Sequence, residues 1–129
     1  MDPPPLTDKD DFKRAVRRYV ESTDWVTFAD LHKRFARDSR EETQIELPGR
    51  RVVWSGLPRA MIDAVLELLD EGLLAAVPGH KSAYVKDGRV LKLPVERTVP
   101  PEGHEEPHWY PVLLRPIEAV RRERADAGD

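Results

Sequence analysis

Hydrophobic and polar positions along this chain follow two different periods. Phe12, Ala15, Val16, Tyr19 and Val20 recur at i, i+3, i+4, i+7 and i+8, with Lys13, Arg14, Arg17 and Arg18 on the other side. That spacing predicts an amphipathic helix over residues 8–22, opened by Thr7 with acids in its first turn. After polar Ser22-Thr23-Asp24, Trp25-Val26 reads as a very short strand. Thr27-Phe28-Ala29-Asp30 then has the form of a capping box and opens a second helix over 28–37, striped by Phe28, Leu31 and Phe35.

The period next changes to two. Ile45 and Leu47 alternate with Gln44 and Glu46, and Val52-Val53-Trp54 are good strand formers. With Pro48-Gly49-Arg50 between them, they predict a β-hairpin over 43–47 and 51–54. A third helix starts at Ser55-Gly56-Leu57-Pro58 and runs to Glu71, stopped by Gly72. Its polar residues are confined to Arg59, Asp63, Glu67 and Asp70/Glu71, so most of its surface must be covered. Leu73–Val77, Ser82–Val85 and Val90–Leu93 read as three short strands. The turns Pro78-Gly79-His80-Lys81 and Lys86-Asp87-Gly88-Arg89 would join them into an antiparallel meander, Asp-Gly being a hairpin signal. Beyond lie a proline-rich linker, apolar Trp109–Leu114, a short helix over Pro116–Arg124 with Ile117 and Val120 on one side, and a frayed Ala125–Asp129. The expected organisation is a flexible lead over 1–7, a domain over 8–97, and a linker with a C-terminal arm over 98–129.

This order of elements resembles the winged helix-turn-helix superfamily over about residues 8–93. Trp25-Val26-Thr27-Phe28-Ala29-Asp30-Leu31 is similar to the start of the family's second helix. Leu66 with Leu68-Leu69-Asp70-Glu71-Gly72-Leu73-Leu74 is similar to its exit from helix three into the wing. The resemblance implies an α+β fold with a three-helix core and a small antiparallel β wing, to which this chain adds the hairpin between helices two and three, where the family has a tight turn, and a C-terminal arm. It also implies binding of double-stranded DNA, as in a transcriptional regulator or a DNA-handling accessory factor. Ser55, Gly56 and Arg59 would then stand at the start of the recognition helix, and His80, Lys81 and Arg89 on the wing. Lys33, Arg34 and Arg37 would be phosphate contacts, and Arg50 and Arg51 a second basic finger on the inserted hairpin.

Composition narrows this picture. The chain has 129 residues, 40% hydrophobic and 35% charged, which is one domain with a heavily charged surface. There is no cysteine, hence no disulfide, zinc–cysteine site or thiol nucleophile. No apolar run is long enough for a membrane span, and the acidic, proline-rich Met1–Pro5 lacks the form of a secretion signal, so a cytoplasmic chain without membrane partners is expected. The net charge of −3 is unevenly spread: residues 1–11 carry −3, 12–59 carry +4 and 60–129 carry −4. The basic middle fits a nucleic-acid footprint.

The chemical inventory points away from catalysis. P-loop, dinucleotide-binding and nucleophile-elbow motifs are missing, so neither an enzyme nor a cofactor is expected. His104-Glu105-Glu106-Pro107-His108 spells H-E-x-x-H, but Pro107 denies it the continuous helix that would put both imidazoles on one metal, and no metal is expected. His32 reads as a surface residue. Trp109, Tyr110, Leu113, Leu114 and Ile117 form an apolar strip that either folds back on the domain or packs on a second copy or another protein, the latter making the chain a homodimer or a partner-bound protein. A second function stays open: a winged-helix interaction module in a larger assembly, with acidic Asp63, Glu67 and Asp70 facing a basic partner and no direct DNA contact.

Overall fold

The computed structural model describes residues 6–96 and 102–127. The expected flexibility of Met1–Pro5, the Thr98–Pro101 part of the linker, and the last two residues of the frayed end lie outside the described residues. Helix α1 (Lys9–Thr23) starts one residue later than expected, because Asp8 rather than Thr7 caps it: the Asp8 carboxylate accepts from the Asp10 N–H at 2.9 Å. Its apolar stripe buries Phe12, Val16 and Val20. Strand β1 (Val26–Thr27) leads directly into α2 (Phe28–Phe35), where Thr27 caps as its sequence suggests, Oγ1 accepting from Asp30 N–H at 3.0 Å. The hairpin forms from β2 (Gln44–Leu47) and β3 (Arg51–Ser55), and α3 (Arg59–Asp70) buries Met61, Ile62, Ala64, Val65 and Leu68.

From there the chain departs from the expected meander. Strand β4 (Leu74–Pro78) is followed by a helix, α4 (Lys81–Lys86), and the described residues of 82–85 and 90–93 form no strand. Two local features explain the change. His80 caps α4, its Nδ1 accepting from Ser82 N–H at 3.0 Å. Asp87-Gly88 ends the helix instead of turning a hairpin: Gly88 (φ +85°) donates to the Val85 carbonyl at 3.1 Å and Arg89 to the Tyr84 carbonyl at 3.3 Å. This is the paired bond pattern that Gly72 also forms after α3, where Gly72 and Leu73 donate to Leu69 and Leu68. A helix buries Tyr84 alone and leaves Val85 59% exposed, so the apparent strand alternation does not act in packing.

The partner of β4 comes from the far end of the chain. After β5 (His108–Trp109), strand β6 (Val112–Pro116) lies between β1 and β4, antiparallel to both, with Leu114 opposite Val26 on one side and Ala76 on the other. Helix α5 (Ile117–Ala127) follows. The second sheet has the order β2-β3-β5, with β5 parallel to β3 and Val52 opposite Trp109. Among the described residues the architecture is therefore α+β, with five helices and two three-stranded sheets.

The apolar arm is thus part of the core, the fold-back alternative of its reading, which removes Trp109 and Leu114 from a partner surface. Trp109 and Leu114 are fully buried, and Tyr110, Leu113 and Ile117 are half-buried. The cause is the cover that α3 and β3 require, since their apolar faces are wider than three short helices can enclose. Trp54, Tyr84 and Trp109 pack as one aromatic cluster, with ring centroids 4.9–6.3 Å apart. The Tyr84 hydroxyl donates to the Val112 carbonyl at 2.6 Å and accepts from Phe28 N–H at 3.2 Å, tying α4 to β6 and α2. Arg115 of β6 is buried; it holds Asp24 and Glu123 and lies 3.6 Å from the Trp25 ring centre, which anchors α5. No helix among the described residues is long and apolar enough to cross a membrane.

Candidate nucleic-acid interface

The cationic residues singled out in the sequence fall into three groups. The first is at the end of α2. His32 sits one turn beyond Phe28 on the inner face of that helix, which buries it rather than leaving it at the surface. Its Nδ1 accepts from the Trp54 indole N–H at 3.0 Å, so Nε2 carries the proton and donates to the Ser39 carbonyl at 3.0 Å. Burial, and to a lesser degree the charges of Arg89 and Arg40, hold the His32 pKa below its ordinary value and keep the ring neutral. Ser39 also donates from its hydroxyl to the Gly56 carbonyl at 2.8 Å. The segment after α2 is thereby fixed to the core at both the imidazole and Gly56, three residues before α3.

That fixed segment gathers arginines. Arg37 lies just past the helix cap, and two guanidinium groups converge on its carbonyl oxygen: Arg40 Nη1 at 3.1 Å and Arg89 Nη2 at 2.9 Å. Arg40 Nη1 also donates to the Ser39 carbonyl at 2.8 Å. Carbonyls at a helix C-terminus carry partial negative charge, so cations gather there favourably. Arg89 arrives through the Gly88 cap of α4, across 52 residues of sequence. Its pKa is lowered by partial burial and then by the charges of Arg40 and Arg37, with Asp38 opposing. Among the described residues, no carboxylate lies within ion-pair distance of Arg37, Arg40 or Arg89. Arg40 lines an open cleft together with His32, Glu41, Glu42, Ser55 and Gly56.

The second group, at the hairpin tip, is occupied internally. Arg51 pairs through Nε with Glu96 at 2.8 Å and covers the Tyr110 ring at 4.3 Å. Glu96 is almost fully buried; burial pushes its pKa up, but His104 and Arg51 outweigh that and leave it lowered. Arg50, at φ +60°, donates to the Glu105 carbonyl. The two residues therefore fasten the hairpin to Glu96 and to the Glu105 carbonyl instead of forming a projecting basic finger. His104 donates from Nε2 to the Glu96 carboxylate at 2.9 Å and stacks on His108 with ring centres 3.9 Å apart. The H-E-x-x-H letters thus describe two face-to-face rings in a non-helical segment. Among the described residues, no group of three or more His, Asp or Glu side chains is placed to hold a metal ion.

The third group is dispersed. Arg34 lies 4.1 Å from the Tyr19 ring centre, and Lys33 is exposed on α2. Arg59 begins α3, whose exposed stripe continues through Asp63, Leu66 and Asp70. His80 and Lys81 sit at the start of α4, on a helix instead of a wing tip. Arg40 is the member that sequence reasoning missed: it stands in Asp38-Ser39-Arg40-Glu41-Glu42, which reads as a solvated loop. The chain matches no known protein family, no curated protein and no solved structure.

Proposed function

We propose that this chain is a winged-helix protein that binds double-stranded DNA through its phosphates, with Arg37, Arg40 and Arg89 as the principal contacts. The order helix, strand, helix, helix, strand, strand, with the last strand between the other two, supports the winged-helix reading. In that reading the β2–β3 hairpin is an insertion before helix three, and residues 79–111 replace the short loop of an ordinary wing. One observation carries the DNA reading: the guanidinium groups of Arg40 and Arg89, from two distant segments, converge on the main-chain carbonyl of exposed Arg37, and none of the three has a carboxylate partner among the described residues. Guanidinium forks bind phosphate oxygens in pairs, and such contacts position a protein on DNA without reading its sequence. Asp63 and Asp70 on the exposed side of α3 oppose a phosphate backbone, so the contacts assigned here lie before that helix and not along it.

The test is a titration of random duplex DNA at several salt concentrations. Replacing all three arginines by alanine should weaken binding and flatten the dependence of log K on log salt by about 2–3, given a slope of about 0.9 per phosphate contact. A second reading draws on Leu66, which is 45% exposed between Asp63 and Asp70. There the same fold is an interaction module whose α3 face receives a basic partner with an apolar anchor. A protein with no affinity for duplex DNA at low salt would favour that reading.

A further inference from the structure

The three arginines form a focus and not a track. Along the chain on either side, Asp38, Glu41 and Glu42 supply negative charge, and the neighbouring bases are engaged elsewhere: Arg51 with Glu96, Arg34 against Tyr19. The cluster can meet a duplex backbone over one short stretch, because its cations are concentrated at one point and flanked by acids. Arg40 and Arg89 are moreover held to the same carbonyl, so their forks are oriented before any ligand arrives.

Resting on the DNA reading above, we infer that the Arg37–Arg40–Arg89 cluster is a site for a phosphate monoester, the 5′-terminal phosphate of a DNA strand. An internal phosphodiester carries one negative charge, while a monoester carries about −1.5 to −2 at neutral pH and three terminal oxygens. Two converging guanidinium groups, with the charge of Arg37 beside them, match the second better than the first in both charge and acceptor number. Arg40 and Arg89 share one carbonyl, and the repulsion between cations held so close is relieved most by the most highly charged ligand. The indole–imidazole–carbonyl chain from Trp54 through His32 to Ser39 gives the site a rigid floor.

The experiment compares blunt duplexes of one sequence carrying 5′-phosphate or 5′-hydroxyl ends, together with a covalently closed duplex and a phosphoserine peptide. Anisotropy at fixed salt should show the phosphorylated ends bound at least about tenfold more tightly than the other two DNAs, a preference abolished in Arg37→Ala/Arg40→Ala/Arg89→Ala. Arg40→Lys should lose most of it while keeping the charge, because the ammonium has no fork. Equal affinity for all three DNAs would overturn this inference and leave the DNA reading standing. Absence of binding to any of them would overturn both. Capture of the phosphopeptide in preference to the DNA ends would also overturn it.

Discussion

Two clusters of arginine in this molecule have similar sequence signatures and opposite fates. At the hairpin tip, Gly49-Arg50-Arg51 looks like an exposed basic turn, yet a buried carboxylate 45 residues away occupies Arg51 and an aromatic ring lies beneath it. At the end of α2, Arg37 and Arg40 stand among acids in sequence, yet folding brings Arg89 to them and no partnering carboxylate among the described residues. Positive charge along the chain does not define an electrostatic site. What defines it is which cations the fold leaves without a partner, and that depends on residues remote in sequence. The first cluster is paired within the fold, and the second has no carboxylate partner among the described residues.

The comparison can be broken at the hairpin first. Gly103 and Gly49 approach so closely that a Cβ on Gly103 would stand 2.7 Å from the Gly49 Cα, and Gly103 has φ +81°. Gly103→Ala should therefore cost about 2–3 kcal/mol in urea unfolding, from steric overlap and left-handed strain together. Unchanged stability would mean that the hairpin is not clamped as described. Glu96→Gln should have a smaller effect, about 1–2 kcal/mol, because Arg51 loses its charged partner but retains some solvent contact. Its DNA affinity should stay within twofold of the parent protein at a temperature where both are folded.

Acid sharpens the same contrast. Hydrogen bonds from Lys13 and Lys9 hold the Glu67 carboxyl down at about 2, which joins α1 to α3 at a half-buried position. Glu96 is lowered as well. A carboxyl whose folded pKa lies below its unfolded value stabilises the protein fully above the ordinary carboxylate range and progressively less as pH falls toward the folded pKa. Stability measured by urea unfolding should thus be level near neutrality and decline as pH drops from about 4.5 toward 2. The decline should be shallower in Glu67→Gln. An identical decline in that variant would remove Glu67 from the account.

Much of the helical half is legible in the sequence because its determinants are local. The i, i+3, i+4 stripe of α1, the Thr27 cap of α2 and the Gly72 stop of α3 each act within a few residues, and each lies where the pattern puts it to within a residue or two. The C-terminal half is harder for a physical reason. Asp87-Gly88 supplies a positive φ that serves a helix cap as well as a hairpin, and the choice falls to Tyr84, whose hydroxyl finds its partner on β6. The pairing of β4 with β6 spans residues 79–111, and no local period encodes it. The candidate site shares this division. Arg37 and Arg89 stand out as basic residues near element ends, but their meeting, and the participation of Arg40, depend on the buried His32 and the fixed Ser39 carbonyl.

The difference between occupied and unoccupied arginines is tested most directly by one salt titration of duplex DNA binding, run on the parent protein, Arg51→Ala, and Arg37→Ala/Arg40→Ala/Arg89→Ala. The account predicts that the triple variant, folded and within about 0.5 kcal/mol of parental stability, loses about 2–3 from the salt slope. Arg51→Ala should keep the parental slope while unfolding at lower urea. A triple variant with the parental affinity and slope, or an Arg51→Ala protein that loses as much slope as the triple variant, would contradict it.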